Sequence, residues 1–125
     1  MHTTTAPASI TYSSVVSRDS VRIVLKIEAL NELYILAYEI QNAYLTALCR
    51  EKIWTRAGPE FVSEEGTIMI VNMAIYGLKS SGELFRAKLA GVLHDIGYTP
   101  SKTDLDVWIR PAVKPDGAEY YEMVL

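Results

Sequence analysis

Tyr38-Glu39-Ile40-Gln41-Asn42-Ala43-Tyr44-Leu45 closes an apolar run with one acid and resumes with an aromatic. Ile35–Ile40 reads as a strand, with Leu36, Tyr38 and Ile40 alternating against Ile35, Ala37 and Glu39, so that one face ends in the acid. Residues 42–48 read as a short helical turn or loop. Upstream, 19–33 reads as a helix, capped by Ser17 or Asp19. Ile23, Ile27, Leu30 and Tyr34 lie on one of its faces, Val21, Val24 and Leu25 point elsewhere, and Lys26 and Glu28 interrupt the apolar run. Downstream, Lys52–Arg56 and Thr67–Val71 read as strands, separated by turns at Gly58-Pro59 and Ser63–Gly66. A helix follows. Ser80-x-x-Glu83 has the form of a capping box, and Phe85, Leu89, Val92, Leu93 and Ile96 form its apolar stripe. Gly97 supplies the left-handed stop, and mid-helix Gly91 costs about 1 kcal/mol relative to Ala. Val107–Arg110 and Glu119–Leu125 read as a hairpin turning at Pro115-Asp116-Gly117. Helices combined with largely antiparallel strands predict an α+β fold, a mostly antiparallel sheet with the helices packed on one face.

The 125 residues make one ordinary domain, and with 50% hydrophobic residues the chain is too apolar to be disordered. A chain of this size buries roughly two-thirds of its unfolded surface. One cysteine, Cys49, excludes an internal disulfide and any multi-cysteine zinc site; it reads as a packed thiol. Two histidines leave little for a histidine-rich metal centre, and His94 falls on the polar face of its helix. No apolar run approaches the ~18 residues that span a bilayer, so no membrane partner is expected. The net charge of −3 lacks the basic excess of a free-standing nucleic-acid binder, although scattered Lys and Arg leave room for a local patch. Residues 1–16, rich in Thr, Ser and Ala, have neither the basic nor the apolar region of a secretory signal. Residues 1–10 are expected to be disordered, and the compartment to be intracellular, cytoplasmic or nuclear.

One set of sequence blocks goes further. The 38–45 stretch resembles the D-V-K-N-A-F-L segment of reverse transcriptases from Ty1/copia-type retrotransposons. Thr11–Val16 followed by Val21-Arg22 is similar to that family's T-F-A-P-V-V…I-R. Glu51–Trp54 with Gly58–Phe61 resembles E-x-V-Y-M…P-P-G-F. Ile75-Tyr76-Gly77-Leu78-Lys79-Ser80-Ser81-Gly82 resembles L-Y-G-L-K-Q-S-P, and Ser101–Trp108 resembles S-x-x-D-P-x-L-[FW]. The blocks stand in family order over residues 11–125, which makes them far more specific together than singly.

The resemblance implies a fragment of a polymerase palm: a partial reverse transcriptase domain, part of a longer polyprotein, acting on an RNA/DNA template-primer and deoxynucleotides. The family's nucleotidyl transfer uses two Mg²⁺ ions held by carboxylates. Glu39 falls at the position of the first catalytic, metal-binding aspartate, but is a glutamate. Tyr44 matches the aromatic that lies under the sugar and excludes a ribose 2′-hydroxyl. Tyr76, Gly77 and Lys79 match the loop that lines the nucleotide and template site, where Lys79 could pair with phosphate. Gly82 replaces the family's proline. The fingers segment is replaced by the Thr- and Ala-rich start, and residues 120–125 stop short of the Y-V-D-D motif. Each residue also has a plainer reading: Glu39 an acid at a strand end, Tyr44 a core aromatic, Lys79 a solvated lysine. Asp104 and Asp106 are read as structural. The expectation is a chain with the polymerase ancestry and no catalysis of its own. The alternative is a small non-catalytic binding or scaffold domain that reuses the palm fragment.

Overall fold

The computed structural model describes residues 2–3 and 13–125. The chain divides into two compact units, one comprising Ile40–Lys88 with the described part of Met1–Ser13, the other Ser14–Glu39 with Leu89–Leu125.

The first unit is built on β1 (His2–Thr3), β2 (Ile53–Arg56) and β3 (Ile68–Ile70), antiparallel in the order β1-β2-β3. β2 and β3 pair Trp54 with Ile70 and Arg56 with Ile68. β-branched residues in both strands suit a pleated, half-buried surface. The connection between them carries a 3₁₀ turn at Pro59–Glu64 and reverses at Gly66, whose φ of 81° suits glycine. A second 3₁₀ turn, Ala43–Thr46, follows Asn42, itself in the left-handed region that asparagine tolerates. The Leu48–Met73 bridge and the bonds Cys49 N–H to Asn72 and Ala74 N–H to Ala47 join the two ends of this unit. Ala47, Ala74 and Leu84 form a buried cluster against which Tyr44 packs. Ile53 is the bulkiest fully buried side chain, at 1% exposure. The Cys49 thiol is half-buried and free.

The second unit contains α1 (Arg18–Leu30) and the antiparallel sheet β4 (Thr99–Pro100), β5 (Trp108–Val113) and β6 (Glu119–Val124), in the order β4-β5-β6. β5 and β6 form the expected hairpin in the register Trp108–Val124 to Val113–Glu119. It turns more tightly than expected, because β5 continues through Pro111 to Val113. The turn is closed by Lys114 N–H to Ala118, Ala118 N–H to Asp116 Oδ1 and a positive φ at Gly117. α2 (Ser81–Asp95) runs from the first unit's residues into the second's and ends at Gly97, φ 94°, where Gly97 and Tyr98 N–H bond back to His94 and Leu93. Val24, Leu93, Tyr98 and Val107 are the buried apolar residues of this unit. Across the hairpin, Arg110 Nε donates to Glu122 at 2.8 Å, Tyr98 donates to the same carboxylate oxygen at 3.1 Å, and the Arg110 guanidinium lies 4.6 Å over the Tyr98 ring. The Arg110 bond holds the Glu122 carboxyl below its ordinary range, and burial pushes the Tyr98 hydroxyl up.

The elements are α+β, and among the described residues all strand pairing is antiparallel, in two three-stranded sheets where one was expected. The Ile35–Ile40 strand is not formed: the segment is extended, and no described residue pairs with it. A strand takes its hydrogen bonds from a neighbour, and without one these residues stay exposed on both faces, Ile35 at 58% and Leu36 at 73%. Ser17 caps α1, its Oγ accepting the Ser20 N–H, but the helix stops at Leu30. Its anticipated apolar face is not the buried one, since Ile23 is 59% exposed and Val24 only 5%. Ser80 does not cap α2; its hydroxyl donates to Glu51 instead. Nor is the α2 stripe buried as a unit: Leu84 and Leu93 are buried, whereas Val92 and Ile96 are exposed. Among residues 1–10, His2 and Thr3 pair with β2, and the expectation of disorder otherwise lies outside the described residues. Among the described residues no helix is long and apolar enough to cross a membrane.

Asp104 accepts the N–H groups of Ser17 and Asp106, each at 3.0 Å, fastening the loop before β5 to the cap of α1. Hydrogen bonds from Ser20, Ser17 and Asp106 lower its carboxyl to about 2. A depressed folded-state value stabilises above the ordinary carboxylate range and is lost as pH falls through the folded value. Asp104→Asn is therefore expected to lower the thermal midpoint at neutral pH and to flatten its decline between about pH 4 and pH 2. Thermal melts across that window check this.

Candidate functional site

The four candidate residues of the first unit fall on two adjacent pieces of chain. Tyr44 rides on the Ala43–Thr46 turn, which Thr46 stabilises by donating its hydroxyl to the Ala43 carbonyl. Tyr76, Gly77 and Lys79 lie on the loop between Ala74 and α2. The Leu78 N–H bonds to the Ile75 carbonyl, and Gly77, third in that four-residue turn, has φ 93°. A type II turn demands a positive φ there, which is why glycine stands at this place.

Two buried serines hold the loop in shape. Ser81 Oγ donates to the Ile75 carbonyl at 2.6 Å, and Ser80 Oγ donates to Glu51; both serines are fully buried. The hydroxyls thus satisfy groups that burial would otherwise leave without partners. Lys88, about two turns further along α2, donates to the Thr46 carbonyl and so ties the helix to the turn that bears Tyr44.

With both pieces fixed, the rings meet. Tyr44 and Tyr76 stack with centroids 4.5 Å apart and planes 30° apart, and Phe85 lies 6.2 Å from Tyr44. Tyr76 remains 66% exposed. Lys79, three residues along the same loop, is exposed and forms no ion pair among the described residues. A Cβ on Gly82 would come within 3.2 Å of the Ser13 side chain and 3.6 Å of the Tyr44 hydroxyl. The ring of a proline would need that space, so glycine at this departure from the family pattern leaves room beside Tyr44. An aromatic platform with an exposed lysine on the same loop has the chemistry to stack a base or sugar and hold a phosphate.

Glu39 belongs to the other unit, on the exposed extended segment. Among the described residues no group of three or more His, Cys, Asp or Glu side chains stands together to hold a metal ion. A lone exposed carboxylate does not make a two-metal centre, which needs several oxygen ligands on each ion. Asp104 and Asp106 do not supply it either: Asp104 is engaged with the cap of α1, the structural role expected of it. The sequence reading missed the buried Ser80–Glu51 and Ser81–Ile75 bonds, because two serines ahead of a helix signal a cap. It also missed the Tyr98–Arg110–Glu122 cluster, whose signal was the opposite charges that face each other once the hairpin register is written out.

The family model for reverse transcriptase (RNA-dependent DNA polymerase) matches residues 6–116. Over 101 residues, 79% of its length, the chain is 26% identical to the retrovirus-related Pol polyprotein from transposon RE2 of Arabidopsis thaliana. It is 25% identical over 101 residues to that from transposon RE1 of the same plant. It spans 7% of the length of each of these polyproteins. No solved structure matches the chain significantly. The blocks around Tyr44 and Tyr76 that drew the resemblance lie inside the matched region, and the chain belongs to the reverse transcriptase family, in the Ty1/copia-type branch found in retrotransposon Pol polyproteins.

Proposed function

We infer that this chain contributes the nucleotide- and template-facing surface of a reverse transcriptase that works within a longer polyprotein, and that by itself it does not polymerise. The Tyr44–Tyr76 stack carries the first half of this reading. It is built from two separate blocks of the family pattern, anchored by buried hydroxyls, and left open to solvent on Tyr76. A stack serving only the core would not leave its outer ring two-thirds exposed. The lone Glu39 and the lack of a carboxylate cluster among the described residues support the second half. Divalent metal belongs to the chemistry of the family; no reaction step is assigned to it on this chain.

Fluorescence anisotropy with a labelled RNA–DNA primer-template tests the binding role. Tyr76→Ala is expected to lose about 1–3 kcal/mol of stacking. Lys79→Ala is expected to weaken binding regardless of sequence and to reduce the slope of log K against log salt by about 1. Unchanged affinity and slope in both variants would remove the site. Primer extension on RNA and DNA templates with Mg²⁺ or Mn²⁺ tests the second half, and no incorporation above a heat-killed control is expected. Metal-dependent incorporation would overturn it.

A further inference from the structure

Three departures from the family pattern fall far apart in the chain and all within the first unit. Ser13 stands where the pattern has alanine, Tyr44 where it has phenylalanine, and Gly82 where it has proline. They meet at one point. A Cβ on Gly82 would lie 3.2 Å from the Ser13 Cβ, 3.4 Å from the Ser13 hydroxyl oxygen and 3.6 Å from the Tyr44 hydroxyl oxygen. Two of the replacements each add an oxygen beside this point, and the third removes a ring from it. The backbone does not ask for glycine here. Gly82 is the second residue of α2 and has no positive φ, and the first turn of a helix suits proline, whose fixed φ and missing N–H are tolerated there. What glycine supplies is room. Carbon atoms pack best at about 3.5–4.0 Å, so a Cβ alone already crowds Ser13, and a proline ring adds two more carbons.

We propose that Gly82, with Ser13 beside it, positions the Tyr44 ring, and that the three replacements act as one compensating set. In the nucleotide-facing reading of Tyr44 and Tyr76, on which this rests, the set fixes where the stacking surface stands. Tyr76 stacks on the Tyr44 ring at 4.5 Å, and Phe85 lies 6.2 Å away with its plane tilted by 49°. Those two rings bound the body of Tyr44, and the space over Gly82 receives its hydroxyl end. Filling that space drives the hydroxyl end away and tilts the ring against Tyr76. Removing the hydroxyl lets a ring enter at position 82 with the aromatic left in place. Gly82 offers no side chain to a substrate and acts only through Tyr44.

Urea unfolding and proton NMR of the full chain test this. Gly82→Pro is expected to raise the unfolding equilibrium constant by roughly 5- to 150-fold, the range for overfilling a packed site. With Ser13→Ala and Tyr44→Phe already in place, the same substitution should change it by less than about 2-fold. The NOE between the rings at 44 and 76 is expected to weaken in Gly82→Pro and to return in the triple variant. Primer-template affinity should follow it, falling by roughly 5- to 150-fold, as for one lost stacked base, and recovering with the NOE. Gly82→Ala adds only the Cβ and should weaken the NOE and the affinity in the same sense by less, so it carries the comparison where the proline variant does not fold. Gly91→Ala lies in the same helix, where among the described residues a Cβ would meet nothing within 4 Å beyond the helix's own backbone. It should lower the unfolding constant and leave the ring signals in place. Additive effects of the three substitutions, or a 44–76 NOE unchanged by both Gly82→Pro and Gly82→Ala, would overturn the proposal. A wild type that does not bind primer-template, with the NOE weakened and restored as expected, would overturn the nucleotide-facing reading and uphold the positioning of Tyr44.

Discussion

Glu39→Asp is expected to raise kcat by roughly 10- to 100-fold when this chain is fused to the fingers and carboxylate-hairpin segments of a family polymerase. The family pattern has aspartate at this position, and glutamate extends the carboxylate by one methylene. Displacement of a reacting constellation by about 1 Å costs on the order of 100-fold. Withdrawing the carboxylate by that methylene should therefore recover most of the loss. Glu39→Gln in the same fused protein is expected to abolish the remaining activity, because a neutral amide cannot offset cationic charge. Tyr44→Ala should leave the rate with deoxynucleotides less affected and reduce discrimination against ribonucleotides, the role that its matching position implies. Steady-state extension kinetics on one template separate these outcomes. If Glu39→Asp and Glu39→Gln behave alike, Glu39 does not occupy the position of the catalytic aspartate.

Ile53→Ala is expected to have the largest effect on stability. Its side chain is 1% exposed, in the central strand of the first unit, and pairs through its backbone with Thr3 on one side and Val71 on the other. Truncating a buried isoleucine costs about 2–5 kcal/mol, through lost transfer energy and the cavity left behind. Domains of this size have about 5–15 kcal/mol in total. The remaining core of this unit consists of small alanines and Leu84, which have little volume with which to fill the gap. Urea denaturation should show the midpoint fall with an unchanged slope. Ile70→Ala, at a position 72% exposed on β3, should cost far less and serves as the control.

Local chemistry made some of this structure legible and left other parts hidden. The hairpin could be read because Pro115-Asp116-Gly117 encodes its own turn, and the flanking residues carry β-branched and aromatic side chains. Gly97 was legible as a positive-φ position from the end of a periodic helix. Ser17 likewise capped α1 as its position suggested. By contrast, Ile35–Ile40 has every intrinsic mark of a strand, but pairing is a property of two segments, and composition says nothing about whether the second is present. Ile23 and Val24 are adjacent and equally apolar. Only tertiary packing decides which is buried, and it chose the residue off the anticipated face. In α2, Leu84 and Leu93 are nine residues apart and at 100° per residue do not share a face, so a single-stripe reading was bound to fail.

The candidate site divides in the same way. The residue types at 44, 76, 77 and 79 were visible through the family blocks, because motif and spacing survive without coordinates. Their mutual arrangement was not. The stacking of Tyr44 on Tyr76 depends on Ser81 holding the Ile75 carbonyl and Ser80 engaging Glu51, 29 residues away in the chain. Bonds of that range leave no periodic trace. Glu39 was legible as a position and not as a geometry, since its segment is extended and exposed.

The most direct test of the nucleotide-facing surface is ultraviolet crosslinking of the full chain to a primer-template carrying 5-iodouracil at the primer terminus or in the templating strand, followed by peptide mass spectrometry. The adduct is expected on the peptide bearing Tyr76, with a second on that bearing Tyr44, and both should fade when Lys79 is replaced by alanine. Adducts confined to α1 or to the β5–β6 hairpin, with Tyr44 and Tyr76 unmodified, would contradict the account.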